Sequence, residues 1–325
     1  MSYRLKNKEN VAEGMRRIIT EQSEKALKRL TARNGNRDQA IHDARVCFKK
    51  IRALLRLMRD QMGSDFQEEN DHYRDLGRRL SSVRNNVGMI ESLAKLKEQF
   101  GDQLAGSTLR GPRRPLVEAN ARSAGDKRKA LEDVSLGLRG GRHRIARWDL
   151  GNDGFDDLAP GLLRTYKQGR SLHQLACRRP TVESLHEWRK RVKDLWYQVR
   201  VLKEIWPDEM TRFADELKEL GDYLSDHHDL AMLRERSAGN AKQIDDLSEV
   251  ATLIALIDQR AAELRLKATL LGGRIYAEKP HDFLYRLRHY WRAWKQEIKS
   301  QPISARASKI ELSSKSASAQ ARQTT

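Results

Sequence analysis

At 325 residues, with 63 Lys and Arg against 45 Asp and Glu, the chain has a formal net charge of +18, and 33 % of it is charged. That length accommodates one large domain or two ordinary ones, and the charge points to an anionic partner. Two cysteines exclude a disulfide framework, MSYRLKNKEN is too charged for a signal peptide, and the most apolar stretch, Val250 to Ile257, is too short to span a bilayer. The expectation is a cytoplasmic protein without membrane association.

Taken along the chain, the runs 11–32, 39–62, 66–87, 182–204, 210–235, 242–271 and 281–299 are rich in Leu, Ala, Glu, Lys and Arg. Their apolar residues recur at three- and four-residue steps, and no alternating strand pattern competes, so the fold class is all-α. Asp38 and Gly63 punctuate the second helix, while Pro180-Thr181 and Pro207-Asp208 bracket a later one. Gly/Pro-rich stretches at 101–115 and 149–161 read as loops. Residues 301–325, rich in Ser, Ala, Arg and Lys without apolar periodicity, read as a disordered basic tail.

An offset of 144 residues places Ile41-His42-Asp43-Ala44-Arg45 over Leu185-His186-Glu187-Trp188-Arg189. Without a gap it also superposes Lys49 on Lys193, Arg56 on Arg200, Leu76-Gly77 on Leu220-Gly221 and Leu80-Ser81 on Leu224-Ser225. The economical reading is a duplication, with pseudo-symmetric helical bundles over 1–148 and 155–300.

The duplicated segments have a common charge pattern. At about 100° per residue, His42, Arg45, Lys49, Arg52 and Arg56 share an arc of about 80° on one helix face. Ala44, Phe48, Ile51, Leu55 and Met58 fall opposite and face the core. The second copy repeats the arc with His186, Arg189, Lys193 and Arg200, and Trp196 stands where the first has Arg52. Asp43, Glu187 and Asp194 project off the stripes. A solvated helix face mixes signs, because like charges one turn apart destabilise it. Two acid-free stripes instead point to a polyanion. Further cations, Arg79, Arg84, Lys167 and Arg170, flank the stripes.

No GxxxxGK[ST] or GxGxxG loop is present, so phosphate recognition falls to side chains on rigid helices. A phosphate beside His42 and His186 would favour their protonated forms. His227-His228-Asp229 raises the alternative of a metal-dependent phosphohydrolase. Adjacent helical residues diverge by about 100°, however, so both imidazoles cannot ligate one ion without partners from elsewhere. Non-specific nucleic-acid binding is the other alternative, but the stripes have no interleaved aromatics to stack on bases. The terminal cluster of Arg286, Arg288, His289 and Arg292 among Tyr285, Tyr290, Trp291 and Trp294 reads first as core aromatics with surface arginines.

The blocks IHDARVCFKKIRALLRLMR and LHEWRKRVKDLWYQVRVL resemble the paired HxxRxxxKxxR motifs of the CHAD (histidine-containing α-helical) domain family. The YKQGR segment, the LGxxL elements followed by Arg84-Asn85 and His228-Asp229, and the terminal FLYRLRHYWRAW are similar to that family's pattern. The resemblance covers nearly all of 5–299. It implies two four-helix bundles around a basic central groove or pore that binds inorganic polyphosphate, with association to polyphosphate granules. The residues it implies for binding are His42, Arg45, Lys49, Arg52, Arg56, Arg84, Lys167, Arg170, His186, Arg189, Lys190, Lys193, Arg200 and His228. Members are often fused to a β-rich triphosphate-tunnel hydrolase domain. No such segment is present, so no enzyme activity, catalytic residue, metal or cofactor is expected.

Overall fold

The computed structural model describes residues 3–32, 36–81, 85–101, 113–114, 116–118, 124–151, 154–239 and 247–300. Of these, 88 % are helical and none is in a strand. Among the described residues, twelve α-helices have defined bounds: α1 Val11–Thr31, α2 Arg37–Leu57, α3 Arg59–Met62, α4 Asp65–Ser81, α5 Asn85–Phe100 and α6 Ala124–Leu138. Then come α7 Gly141–Ala146, α8 Phe155–Arg178, α9 Val182–Val201, α10 Pro207–Gly239, α11 Leu247–Ile275 and α12 Pro280–Ser300. The tail and most of the expected 101–115 loop lie outside the described residues.

Local chemistry sets the helix ends. The α1 start is a capping box: the Asn10 side chain accepts from Glu13 N at 2.8 Å and the Glu13 side chain accepts from Asn10 N at 3.1 Å. Asn36 caps α2, two residues before the expected punctuation, and Asp38 sits in the first turn. Thr181 and Ser184 cap α9 reciprocally. Gly63 takes a positive φ of 53° between α3 and α4, a region other residues rarely adopt.

One expectation is corrected. Residues 155–161, read as part of a loop, form the first turns of α8 and include Pro160 and Gly161. Gly161 is there for contact, not flexibility. A Cβ at this position would collide with the Leu57 carbonyl, so its absence lets α8 press against the end of α2.

Two hydrophobic cores result. The larger draws residues from both 1–148 and 155–300, among them Phe48, Ile51, Tyr73, Tyr166, Trp188, Leu195 and Phe283. Each fully buried aliphatic or Phe side chain contributes roughly 1.5–3 kcal/mol. The smaller joins α5 to the distal parts of α10 and α11 through Leu93, Leu96, Leu230, Leu233, Leu253 and Ile257. At the centre, α2 and α9 meet in antiparallel sense. Gln198 Nε2 donates to Ala53 O at 3.0 Å, and Arg56 pairs with Asp194 one turn further on. The terminal aromatics divide only in part as expected: Trp291 and Trp294 are buried, but Tyr285 is exposed and Tyr290 half-buried, while the half-buried Arg286 pairs with Glu278 and Arg288 with Asp156.

Candidate anion-binding groove

α2 turns Ile41, Ala44, Phe48, Ile51 and Leu55 inward, which leaves its cationic arc on the opposite side. α9 does the same with Leu185, Trp188, Val192, Leu195 and Val199. Because the two helices pack against each other, their arcs border one cavity of about 440 Å³. From the expected set, Arg45, Lys49, Arg52 and Arg56 line it on α2, and His186, Arg189, Lys190 and Lys193 line it on α9. α4 supplies Arg74 and Arg78, and α9 adds Arg191; none of these three was singled out from sequence. In all, ten Arg and Lys side chains line the cavity with two carboxylates, Glu187 and Asp194, while Asp71, Asp75 and Asp222 just outside the lining pair with Arg74, Arg78 and Lys193, so cations outnumber acids around it by ten to five.

The cations are held in place. Arg52 Nε donates to Asn70 Oδ1 at 3.2 Å, and Arg56 Nη1 donates to Asp194 Oδ1 at 3.1 Å. Arg189 Nε donates to Ser225 Oγ at 2.9 Å, and that hydroxyl in turn donates to Gly221 O. Ser81, 144 residues earlier, makes the matching bond to Gly77 O at 2.8 Å. Lys193 Nζ lies 3.7 Å from Asp222 Oδ1, and Lys190 pairs with Glu187 within its own helix.

Asp194 departs from the off-stripe position read from sequence. It faces the crossing with α2, where it meets Arg56 and, at 3.2 Å, Arg191. Glu187 also reaches the cavity rim. Long side chains and a crossing partner helix override the angular separation that a single helix projection gives.

Partial burial in a cation-rich site penalises further positive charge. The Arg52 guanidinium is brought down to about 10, first by burial and then by Arg56. Burial lowers Arg189, and burial followed by Arg189 lowers Lys193. His186 is lowered by burial and then by Lys190 and Arg189. Its ring lies 4.4 Å from that of His228, which is pushed down to about 4 by burial and then by His186. The Nδ1 atoms of both rings are buried without a hydrogen-bond partner among the described residues. An anion in the cavity would offset the repulsion among these cations, the part of each shift that comes after burial.

The remaining expected residues lie elsewhere. His42 is not among the residues lining the cavity, and His228 stands behind His186. Lys167 is exposed on α8, and Arg170 donates from Nε to Tyr276 O at 3.1 Å. Arg200 lines a different cleft, and Arg84 lies outside the described residues. Among the described residues no group of three or more His, Cys, Asp or Glu is placed to hold a metal ion. No described helix is long and apolar enough to cross a membrane.

A family model, the CHAD domain, matches residues 17–238, which contain the whole groove. The chain belongs to the CHAD family. No curated protein matches it. The CHAD match begins in α1 and ends in α10, so α11 and α12 lie beyond it.

Proposed function

We propose that this CHAD protein binds inorganic polyphosphate in the α2–α4–α9 groove and thereby associates with polyphosphate granules in the cytoplasm. The observation that carries the reading is the excess of cations at one cavity walled by helices, ten Arg and Lys against five carboxylates when Asp71, Asp75 and Asp222 are counted with Glu187 and Asp194. Arginine forks and mobile lysines suit successive phosphate groups, and many weak contacts along one polymer sum to tight binding. The protein works by multivalent charge neutralisation and not by chemistry on the polymer.

The aromatics lining the groove favour a polymer without bases. Phe48, Tyr73 and Tyr197 are 2 %, 0 % and 3 % exposed, so none offers a face on which a base could stack. The test is a titration of wild type and R45S/K49S/R189S/K193S with long-chain polyphosphate, RNA and heparin, with and without divalent ions. Polyphosphate is expected to outcompete RNA at equal charge concentration, and the variant is expected to lose binding while keeping its helicity. Wild-type affinity in the variant overturns the reading, as does preference for RNA.

A further inference from the structure

A second basic cleft lies further along α9, past Lys193. Its cavity of about 390 Å³ is lined by Trp196, Arg200 and Lys203, by Lys218 and Asp215 of α10, and by a few small or apolar residues. Neither Arg200 nor Lys203 has a carboxylate partner among the described residues. Arg200 instead lies over two rings, 5.0 Å from the centroid of Trp196 and 5.6 Å from that of Tyr3. Tyr3 carries a second cation, Lys50 Nζ, at 5.0 Å. Two half-buried cations therefore share one tyrosine ring beside the cleft, which adds to the positive charge of Arg200.

Side-chain contacts link the cleft to the groove. Lys193 lines the groove, yet its Nζ lies 5.9 Å from the Trp196 ring centroid. Asp222 bridges the two cavities: Oδ1 is 3.7 Å from Lys193 Nζ and Oδ2 is 3.2 Å from Lys218 Nζ. The positions correspond as well. Arg200, Lys203 and Lys218 each stand 144 residues after a cation, namely Arg56, Arg59 and Arg74. Arg56 and Arg74 line the groove, so the cleft is the second copy's version of the groove's far end.

We infer that the cleft of Arg200, Lys203 and Lys218 is a second anion station, which takes the part of a polyphosphate chain that leaves the groove past Lys193. This rests on the polyphosphate reading of the groove. Trp196, in place of the first copy's Arg52, presents its ring to Lys193 and Arg200, so the station holds the chain through three cations where the groove has many.

The experiment compares K203Q/K218Q with K28Q/K267Q, which removes two exposed lysines outside both cavities. Both are titrated with long-chain polyphosphate at several salt concentrations, alongside the groove variant R45S/K49S/R189S/K193S. K203Q/K218Q is expected to weaken binding about tenfold and to make the salt slope shallower by about 1.4, as the loss of two neutralised phosphates requires. The control is expected to stay within about twofold of wild type. A second variant, D215N, removes the cleft's own carboxylate and is expected to tighten binding about threefold. Parity of K203Q/K218Q with the control, or no gain in D215N, overturns the second station. Retained affinity in the groove variant is a separate outcome that overturns the groove itself.

Discussion

Arg56 on α2 and Asp194 on α9 join the two walls of the groove, with Nη1 3.1 Å from Oδ1 and both side chains largely buried. Asp194 also holds Arg191 at 3.2 Å, so one carboxylate neutralises two arginines at the helix crossing.

Replacing Asp194 by Asn therefore acts in opposite directions on stability and on binding. The free protein loses about 1–3 kcal/mol, because two partly buried guanidiniums lose their counter-charge. Polyphosphate affinity rises, because the groove loses one of the two acids that line it. Urea unfolding with and without polyphosphate reads both effects, and a fall in both contradicts the groove's electrostatics.

The adjacent imidazoles of His186 and His228, tilted by 35° to each other, set a pH dependence. Both are held below the ordinary value of about 6.5, and His228 reaches about 4. Between those values the unfolded chain binds protons that the folded protein refuses, so stability falls as pH drops from about 6.5 towards 4. A bound phosphate chain beside Lys190, Arg189 and His186 favours the imidazolium instead. Calorimetric titration at pH 6 in buffers of differing ionisation enthalpy is expected to show net proton uptake on binding, and H186A is expected to abolish it. Proton release on binding is the contrary result.

Salt is expected to weaken binding steeply. A chain that neutralises about six groove cations gives a log–log slope of about −4 between about 50 and 200 mM salt, whereas orthophosphate shows a slope near −1. Affinity measured against ionic strength for both ligands checks this. Equal slopes would mean that the polymer makes a single contact.

Gly161→Ala separates packing from propensity. In a helix, alanine is favoured over glycine by about 1 kcal/mol. Here the added methyl meets the Leu57 carbonyl, and the expected result is destabilisation of about 1–3 kcal/mol. A higher unfolding midpoint in the variant would show that α8 and α2 are not in close contact.

The cationic arc of α2 was legible from sequence because that helix is regular and its apolar face is broad. All five residues placed opposite the arc, Ala44, Phe48, Ile51, Leu55 and Met58, are buried. On α9 the same projection holds from His186 to Lys193 and then parts from the groove at Arg200. Arg200 lies eleven residues after Arg189, about 16 Å along the axis, where its guanidinium lies over the Trp196 and Tyr3 rings instead of in the groove. Arg78 was missed where Arg79 had been singled out, and one residue of phase, about 100°, decides which of them faces the cavity. Asp194 could not be placed from a single helix, because its role is set by a guanidinium 138 residues away. Pro160 and Gly161 read as loop punctuation, although Gly161 is needed for a contact between helices that are distant in sequence.

The larger core, whose side chains come from both halves of the chain, ties the walls of the trough to one another among the described residues. A bulky anion must therefore thread into a receptacle of fixed width instead of being grasped by a closing jaw. Capture is then expected to be fast, to scale with polymer ends and loops, and to leave the scattering envelope of the protein unchanged.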